Sequence, residues 1–384
     1  MADREQLSIA FLADDTLDND AGVAQYVKRL GGWLSRDGHR VNYLVGRSRL
    51  ESWRGDPVYS LAHNLTVRWN GNRLSVPLWA NRRAIQRLLN ERHYDIVHVQ
   101  APYSPLLTQL IINRLPDDTA LIATFHVSSS SPLTITGGRL LRQVYGRSLK
   151  RFNNLISVSQ PAAIFARQAF GVASQQLPNT IELDAFKSPP ITRRAPKRLV
   201  FLGRLVKRKG CAELLMAVAS LAKHTSAPAF ELIIAGDGPQ RTRLERLSRK
   251  LGLSSAQVKF LGYVSEKDKV KLLASADIAC FPALYGESFG IVLLEAMAAG
   301  AKVVIAGDNP GYRSVLAKSP QLLVDPAETK LFADKLLHYL TNKPATDNVQ
   351  QWLRAEVKQY DIEKVGPKLL KLYRRSIAKQ LGRR

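Results

Sequence analysis

Short apolar runs alternate along this chain with longer stretches in which apolar residues recur every three or four positions. The runs are typical of strands buried on both faces of a parallel sheet, and the periodic stretches, as at 22–30, predict the helices that cover it. The first half predicts strands at 7–13, 41–45, 95–99, 120–125 and 154–158, and the second half at 198–203, 230–235, 258–261, 277–281, 302–305 and 321–324. Each half therefore predicts an α/β fold with a doubly wound, Rossmann-like parallel sheet.

The segment 186–196 breaks this alternation, because it has no periodicity and contains three prolines. It predicts an interdomain linker, and a chain of 384 residues exceeds the size at which one core usually stops growing. We predict a first domain over 1–185, a second over 186–360 and a basic helix over 361–384. Ligands of such sheets bind at the carboxyl ends of the strands, so we expect the two domains to face a common cleft.

Charge narrows the choice of partner, because 56 Lys and Arg against 32 Asp and Glu give a net charge of +24. Such an excess favours an anionic partner, either nucleic acid or a membrane surface. The sequence has no run of about 18 apolar residues, so it does not predict a transmembrane protein. Cys211 and Cys280 lie in apolar surroundings without metal-ligand spacing, and we expect two buried free thiols in a reducing cytoplasm.

The stretch 285–300 reads as a loop that opens into a short apolar helix. Glu287 lies in the loop and Glu295 in the helix. The amides of Phe289, Gly290 and Ile291 stand at the helix N-terminus, where unpaired N–H groups favour an anion. Carboxylates for hydroxyls beside amides for a phosphate suit a sugar nucleotide. The alternative is a solvated loop carboxylate and a rim carboxylate with no ligand.

Three more motifs follow predicted strands. Arg204 and Lys209 are spaced so that a turn can bring both cations to one diphosphate, although a solvated basic turn is the alternative. His126 ends a buried strand, where it would face the cleft or simply pack. Gly22 opens a helix after the first strand, which is a weak signal for a phosphate contact.

These motifs together resemble the retaining glycosyltransferases of family 4, which have the two-domain GT-B fold. The resemblance rests on the two glutamates of 287–295 with Phe-Gly after the first, on Gly203-Arg204 with Lys209-Gly210, and on Thr124-Phe125-His126. It implies an enzyme that transfers a sugar from a nucleotide with retention of configuration, without an obligatory metal or other cofactor.

The resemblance also implies roles for individual residues. His126 and Glu287 would be catalytic, by orienting the sugar and holding its hydroxyls. The donor would further be bound by Gly22, Arg204, Lys209, Val264, Lys269, Glu287, Phe289, Gly290, Ile291 and Glu295, with Val264 meeting the base and Glu295 the ribose. We expect the transferred sugar to be mannose, carried by GDP.

The acceptor side is implied by a second region of the first domain. Arg68, Trp69, Asn70 and Asn72 resemble an acceptor-binding segment, which points to a lipid such as phosphatidylinositol. Arg82, Arg83 and Arg87 follow it, in a stretch whose apolar residues fit a helical stripe: Leu78, Trp79, Ile85, Leu88 and Leu89. We expect this stripe to enter the headgroup layer of the inner face of the plasma membrane, the alternative being that it packs on the sheet.

Other functions remain open at this point. A family 4 enzyme could use a soluble acceptor or another sugar nucleotide, and a GT-B protein could be an epimerase that transfers nothing. The net charge alone would also suit a nucleic-acid-binding protein. The sequence lacks the exposed aromatic motif of RNA-binding sheets, which makes nucleic acid the less favoured partner.

Overall fold

The structure is a computed structural model that describes residues 6–18, 22–69, 72–104, 106–187 and 196–382, without the side chains of 66–69 and 72–76. Its strands are β1 Ser8–Ala13, β2 Arg40–Val45, β3 Ser52–Trp53, β4 Asp56–Ser60, β5 Ala62–Trp69, β6 Asn72–Ala80, β7 Ile96–Gln100, β8 Ala120–Phe125, β9 Asn154–Ser157, β10 Gln175–Gln176, β11 Lys197–Leu202, β12 Phe230–Ala235, β13 Val258–Gly262, β14 Ile278–Phe281, β15 Val303–Gly307 and β16 Leu323–Val324. Its helices are α1 Gly22–Arg36, α2 Arg82–Glu91, α3 Leu107–Ile112, α4 Pro132–Leu149, α5 Gln160–Phe170, α6 Cys211–Leu221, α7 Arg241–Lys250, α8 Glu266–Ala274, α9 Ile291–Ala299, α10 Pro310–Leu316, α11 Thr329–Thr341, α12 Lys343–Glu356 and α13 Ile362–Leu381.

The first compact unit comprises Met1–Thr180 and Ile362–Arg384, so that α13 belongs to it although it follows the second unit in sequence. Its sheet has the strand order β10-β9-β8-β7-β1-β2-β4-β3, and its strands pair in parallel except β3 with β4. Strand order that departs on both sides from β1 is that of a doubly wound sheet. The predicted α/β class and parallel sheet are confirmed.

The two faces of this sheet carry different helices. On one face, Val97 and Val99 share a core cluster with apolar side chains of α2, α3 and α5. On the other face, His98 points to α13, whose Tyr373 hydroxyl lies 2.8 Å from His98 Nδ1. Neighbouring side chains of a strand point to opposite faces, so α2 and α13 cover opposite sides of the sheet. Helix α13 packs closely on α1, because a Cβ at Gly366 would lie 2.5 Å from the ring of Trp33.

The second unit, Ile181–Asp361, has a parallel sheet in the order β13-β12-β11-β14-β15-β16. It is again a doubly wound arrangement, because the chain adds β12 and β13 on one side of β11 and then returns to add β14 on the other side. Cys211 and Cys280 are both buried and free, as expected, and burial raises the pKa of each thiol well above its usual range.

The structure differs from the sequence-based expectations in two places. The units divide between Thr180 and Ile181, ahead of the predicted linker at 186–196, because Phe186 is buried within the second unit beneath the Lys269 ammonium. Residues 188–195 of that segment lie outside the described residues. The antiparallel hairpin β5–β6 was not predicted at all. Among the described residues, no helix combines the length and apolarity that a membrane span requires.

Candidate functional site

The loops at the carboxyl edge of the second sheet are held together by close backbone contacts. The 3-10 turn Lys207–Lys209 follows β11 and ends at Gly210, whose φ of 70° is left-handed. A Cβ at Gly210 would lie 1.8 Å from the carbonyl oxygen of Pro282, just after β14, so only glycine fits there. The amide of Leu284 also donates to the carbonyl of Arg208 over 2.8 Å. These contacts fix the basic turn against the loop that carries Glu287.

Glu287 lies at the centre of a charged cluster. Its Oε1 accepts from Arg208 Nη1 at 2.7 Å and lies 2.8 Å from Lys209 Nζ. The three side chains are 12 to 18 % exposed, so the cluster is largely shielded but still reachable from solvent. Two cations against one carboxylate leave a local excess of positive charge, which is the arrangement that a diphosphate requires. Sequence reasoning had named Glu287 and Lys209 without foreseeing that they pair.

The backbone beside this cluster forms the start of α9. Gly290 caps the helix with a φ of 108°, and Ile291 is its first residue. The Phe289 side chain is buried and packs edge-on against Tyr360 at 5.7 Å, which anchors the turn. Arg204 follows Gly203 at the end of β11 and is half-buried. The donor-binding residues predicted after β11 and before α9 therefore lie on neighbouring loops of one sheet edge.

Glu295 and Lys269 form a second, buried pair between α9 and α8. Lys269 Nζ lies 2.9 Å from Glu295 Oε1 and 2.7 Å from Glu266 Oε2. Burial alone would lower the pKa of Lys269, but Glu295 and Glu266 together outweigh it and raise that pKa. Lys269 is therefore a charged partner of Glu295. Half-buried Val264 immediately precedes Ser265, the N-cap of α8.

His126 directly follows β8 in the first unit, as the sequence predicted. Its Nε2 lies 2.7 Å from Gln100 Oε1, and its ring packs edge-on against Tyr26 at 4.9 Å. Burial lowers the pKa of His126 to about 3, so the imidazole is neutral at physiological pH. Gly22 is the exposed first residue of α1.

Sequence reasoning missed the buried polar groups behind His126. His98 is fully buried, with Nδ1 at 2.8 Å from the Tyr373 hydroxyl and Nε2 at 2.7 Å from the Thr124 hydroxyl. Burial, and then His126, lower the pKa of His98 to about 3. The sequence held one signal for them. His98 lies in a predicted strand and Gln100 directly follows it, and side chains two residues apart along a strand point to the same face.

The predicted helical stripe beside the acceptor segment is wrong for its first two residues. Leu78 and Trp79 belong to β6, and α2 begins only at Arg82, since the Asn81 side chain caps it by accepting from the amide of Ala84. Ile85 and Leu88 are buried in the core of the first unit, as the packing alternative expected. Arg82, Arg83 and Arg87 are exposed on the other side of the helix.

The predicted acceptor residues remain predictions. Asn70 lies outside the described residues, as do the side chains of Arg68, Trp69 and Asn72. The backbone of Arg68 and Trp69 belongs to the end of β5, and that of Asn72 to the start of β6.

Comparison with known proteins decides the family. The model described as "Glycosyltransferase Family 4" matches residues 21–185, and that described as "Glycosyl transferases group 1" matches residues 185–355. The phosphatidyl-myo-inositol mannosyltransferase of Mycobacterium tuberculosis is 30% identical over 378 residues, covering 96% of each chain. The chain is a family 4 glycosyltransferase. Arg208, Lys209 and Glu287 lie within the part of the chain that matches the "Glycosyl transferases group 1" model.

Two further comparisons concern a solved structure and a relative that matches part of the chain. A glycosyltransferase from Rickettsia africae superposes with a TM-score of 0.79 over 97% of this chain and 99% of its own, at 17% identity, which shows the shared GT-B fold. The D-inositol 3-phosphate glycosyltransferase of Corynebacterium urealyticum is 32% identical over 184 residues, which cover 46% of this chain and 43% of that one.

Proposed function

We propose that this glycosyltransferase moves mannose from GDP-mannose to a membrane lipid such as phosphatidylinositol, with retention of configuration. The observation that carries the proposal is the similarity to phosphatidyl-myo-inositol mannosyltransferase, which runs through both halves of the chain instead of the donor half alone. Family membership also favours a transferase over the nucleic-acid-binding alternative.

The charged cluster suggests how the donor is bound. Glu287 holds Arg208 and Lys209 side by side. A diphosphate carries more charge than one carboxylate, so it would take over both cations and release Glu287 to bind sugar hydroxyls. Arg204 and the amides at the start of α9 would share the remaining phosphate charge. These groups would stabilise the leaving diphosphate in place of a metal ion.

Chemistry at the sugar demands stabilisation of an oxocarbenium-like centre and removal of the acceptor proton. No side chain is proposed as a nucleophile, and a phosphate oxygen of the donor would take the proton while the acceptor attacks from the same face. His126 is neutral and would orient the sugar. Glu295 would hold the ribose by exchanging part of its contact with Lys269.

The first unit offers a surface for a lipid acceptor. Leu133, Leu140 and Val144 are spaced by seven and four residues, so they share one face of α4, and all three are more than half exposed. Exposed Arg147 is three residues beyond Val144 on that side. Apolar side chains beside cations suit an anionic bilayer. The arginines of α2 would add attraction from the surface, although the apolar stripe of α2 is buried.

The test is an assay of donors against acceptors. GDP-mannose, GDP-glucose and UDP-glucose are each offered with phosphatidylinositol vesicles or with soluble inositol 3-phosphate, with and without EDTA. We expect hexose on the lipid from GDP-mannose, and most of the activity to survive EDTA. Transfer to inositol 3-phosphate would support the second candidate, a soluble acceptor, which the partial similarity to D-inositol 3-phosphate glycosyltransferase favours. Loss with EDTA that magnesium reverses would contradict metal-free neutralisation.

A further inference from the structure

We propose that Gln100 is a positioning residue that fixes the tautomer of His126, leaving His126 Nδ1 as an acceptor for a hydroxyl of the bound sugar. The inference deepens the proposed function and rests on it for the identity of the ligand. It assigns a role to a side chain that belongs to neither the donor motifs nor the predicted acceptor segment.

The contacts of the Gln100 carboxamide determine which way round its nitrogen and oxygen lie. Gln100 is 2 % exposed, and its Nε2 donates to the backbone carbonyl of His98 at 3.3 Å. The other end, Oε1, therefore faces His126 Nε2 at 2.7 Å. Rotating the amide by half a turn would set its oxygen against the carbonyl oxygen of His98, which is repulsive. The amide can thus only accept from His126, and Nε2 of the imidazole must carry the proton.

The position of this proton leaves the other ring nitrogen of His126, Nδ1, as a hydrogen-bond acceptor. A neutral imidazole with its proton on Nε2 has a lone pair on Nδ1. Within the described part of the chain, Nδ1 of His126 has no hydrogen-bond partner and is not among the buried polar atoms. It is therefore free to accept a hydrogen bond from a hydroxyl group. A sugar hydroxyl supplies that donor, whereas a carboxylate or phosphate would not.

The surroundings keep the imidazole neutral. The titratable groups that face it are Tyr26 on α1 and His98 on β7, with Tyr373 on α13 behind His98. Burial raises the pKa of Tyr26 to about 12 and lowers that of His98 to about 3, so each is uncharged at physiological pH. None of these three groups would draw a second proton onto Nδ1.

Nitrogen NMR of the histidine-labelled full-length enzyme tests the tautomer without any substrate. Long-range ¹⁵N–¹H spectra distinguish Nε2–H from Nδ1–H, and His126→Asn identifies the His126 signals among the seven histidines. We expect wild type to show neutral Nε2–H from pH 8 to pH 5. Gln100→Met, similar in size but with a thioether that accepts only weakly, should show a mixture of tautomers and a kcat about tenfold lower, with the donor KM little changed.

Gln100→Glu provides a second, charge-based readout. A carboxylate at this place still accepts from Nε2–H but raises the pKa of His126, so the imidazolium forms as pH falls and Nδ1 can no longer accept. The variant should gain an acid limb in its pH–rate profile that wild type lacks. Gln109→Leu is the matched control, since Gln109 is also buried in the first unit and donates to a carbonyl, that of Pro102, at 3.0 Å.

The outcomes separate the two proposals. Nδ1–H in wild type, or unchanged His126 signals and kcat in Gln100→Met, would overturn the positioning role. The same spectral change in Gln109→Leu would also overturn it, because a general loss of packing would then be the cause. The expected NMR result without any sugar transfer would count against the proposed function and leave the tautomer assignment standing.

Discussion

At the scale of single residues, Glu287 is the side chain whose partners say most about donor binding. Its carboxylate lies within 2.8 Å of both Arg208 and Lys209, and one negative charge neutralises only part of the charge of these two cations. We propose that a more highly charged anion, a diphosphate, binds these two cations and frees the glutamate for the sugar. Under the proposed function, binding of the diphosphate and placement of the sugar would be linked through one exchange of partners.

This exchange predicts different effects for the two sides of the cluster. Glu287→Ala should lower the transfer rate by roughly 10²–10³ while GDP binds as well as to wild type, because the cations lose their competitor. Lys209→Ala should weaken GDP binding and lower the rate, and Arg204→Ala should do the same. Calorimetry with GDP and initial rates measure the two quantities.

Lys302→Ala is the matched control for these cations. Lys302 pairs with Asp277 at 2.7 Å, but both residues precede their strands and so lie at the amino edge of the second sheet. The control should bind GDP normally. Weak GDP binding by Glu287→Ala, or wild-type turnover by Lys209→Ala, would contradict the proposed exchange.

His126 allows a separate prediction, because it lies in the other compact unit. His126→Ala should lower kcat by about tenfold or more through the lost hydrogen bond and lost packing on Tyr26, with GDP affinity unchanged. Parallel losses of GDP binding and turnover would instead indicate a packed histidine whose removal damages the fold.

Two of the predicted site residues come just after a buried strand. His126 and Arg204 could be placed because a continuous apolar run marks each strand, and chemistry collects at its carboxyl end. The pairs Lys269–Glu295 and Gln100–His126 could not be predicted, since they depend on which helices and strands become neighbours. Strand register and helix contacts are long-range properties that no local pattern encodes.

At the scale of elements, α2 shows what an amphipathic pattern leaves open. The pattern predicted an apolar face correctly, but a core and a membrane are equally good partners for such a face. The structure buries Ile85 and Leu88 in the core and leaves an apolar face of α4 exposed instead. The hairpin β5–β6 was missed as well. Among the described residues, its two strands pair only with each other in a separate sheet, and the sequence there has no apolar run of the kind that marks a buried strand.

The exposed face of α4 predicts where the enzyme meets the membrane. Leu140→Ser with Val144→Ser should weaken co-sedimentation with anionic liposomes several-fold, as two buried aliphatic side chains are lost. Arg82, Arg83 and Arg87 changed together to Ser should weaken it in a salt-dependent manner, at about 1 kcal/mol for each cation.

The control removes equal charge from the opposite face of the same unit. Lys371, Arg374 and Arg375 are exposed on α13, which covers the side of the sheet away from α2. Their replacement by Ser should leave liposome binding largely intact. An equal loss in that variant would mean that net charge alone drives adsorption, and tighter binding to RNA than to lipid at physiological salt would reject the membrane surface.

At the scale of the whole molecule, the free energy of unfolding depends on pH because His98 is buried in its neutral form. His98 is fully buried and its pKa is lowered to about 3, while the unfolded chain takes up that proton near 6.5. Between these values the unfolded state binds more protons, so stability falls as pH is lowered from 6.5 towards 3. His98→Gln should show a slope of unfolding free energy against pH that is smaller by up to about 1.4 kcal/mol per pH unit.

Urea unfolding of both proteins from pH 7.5 to pH 5 measures that difference. Parallel slopes would mean that His98 takes up its proton in the folded state as well. Burial would then not be enough to hold its imidazole neutral.

The fate of the sugar tests the central claim most directly. Wild-type enzyme is incubated with GDP-mannose and phosphatidylinositol vesicles, and the lipid product is analysed by mass spectrometry and by NMR of its anomeric proton. We expect one added hexose with the α configuration of the donor retained. A β-linked product would contradict retention, and a lipid fraction that gains no hexose while inositol 3-phosphate does would contradict the lipid acceptor.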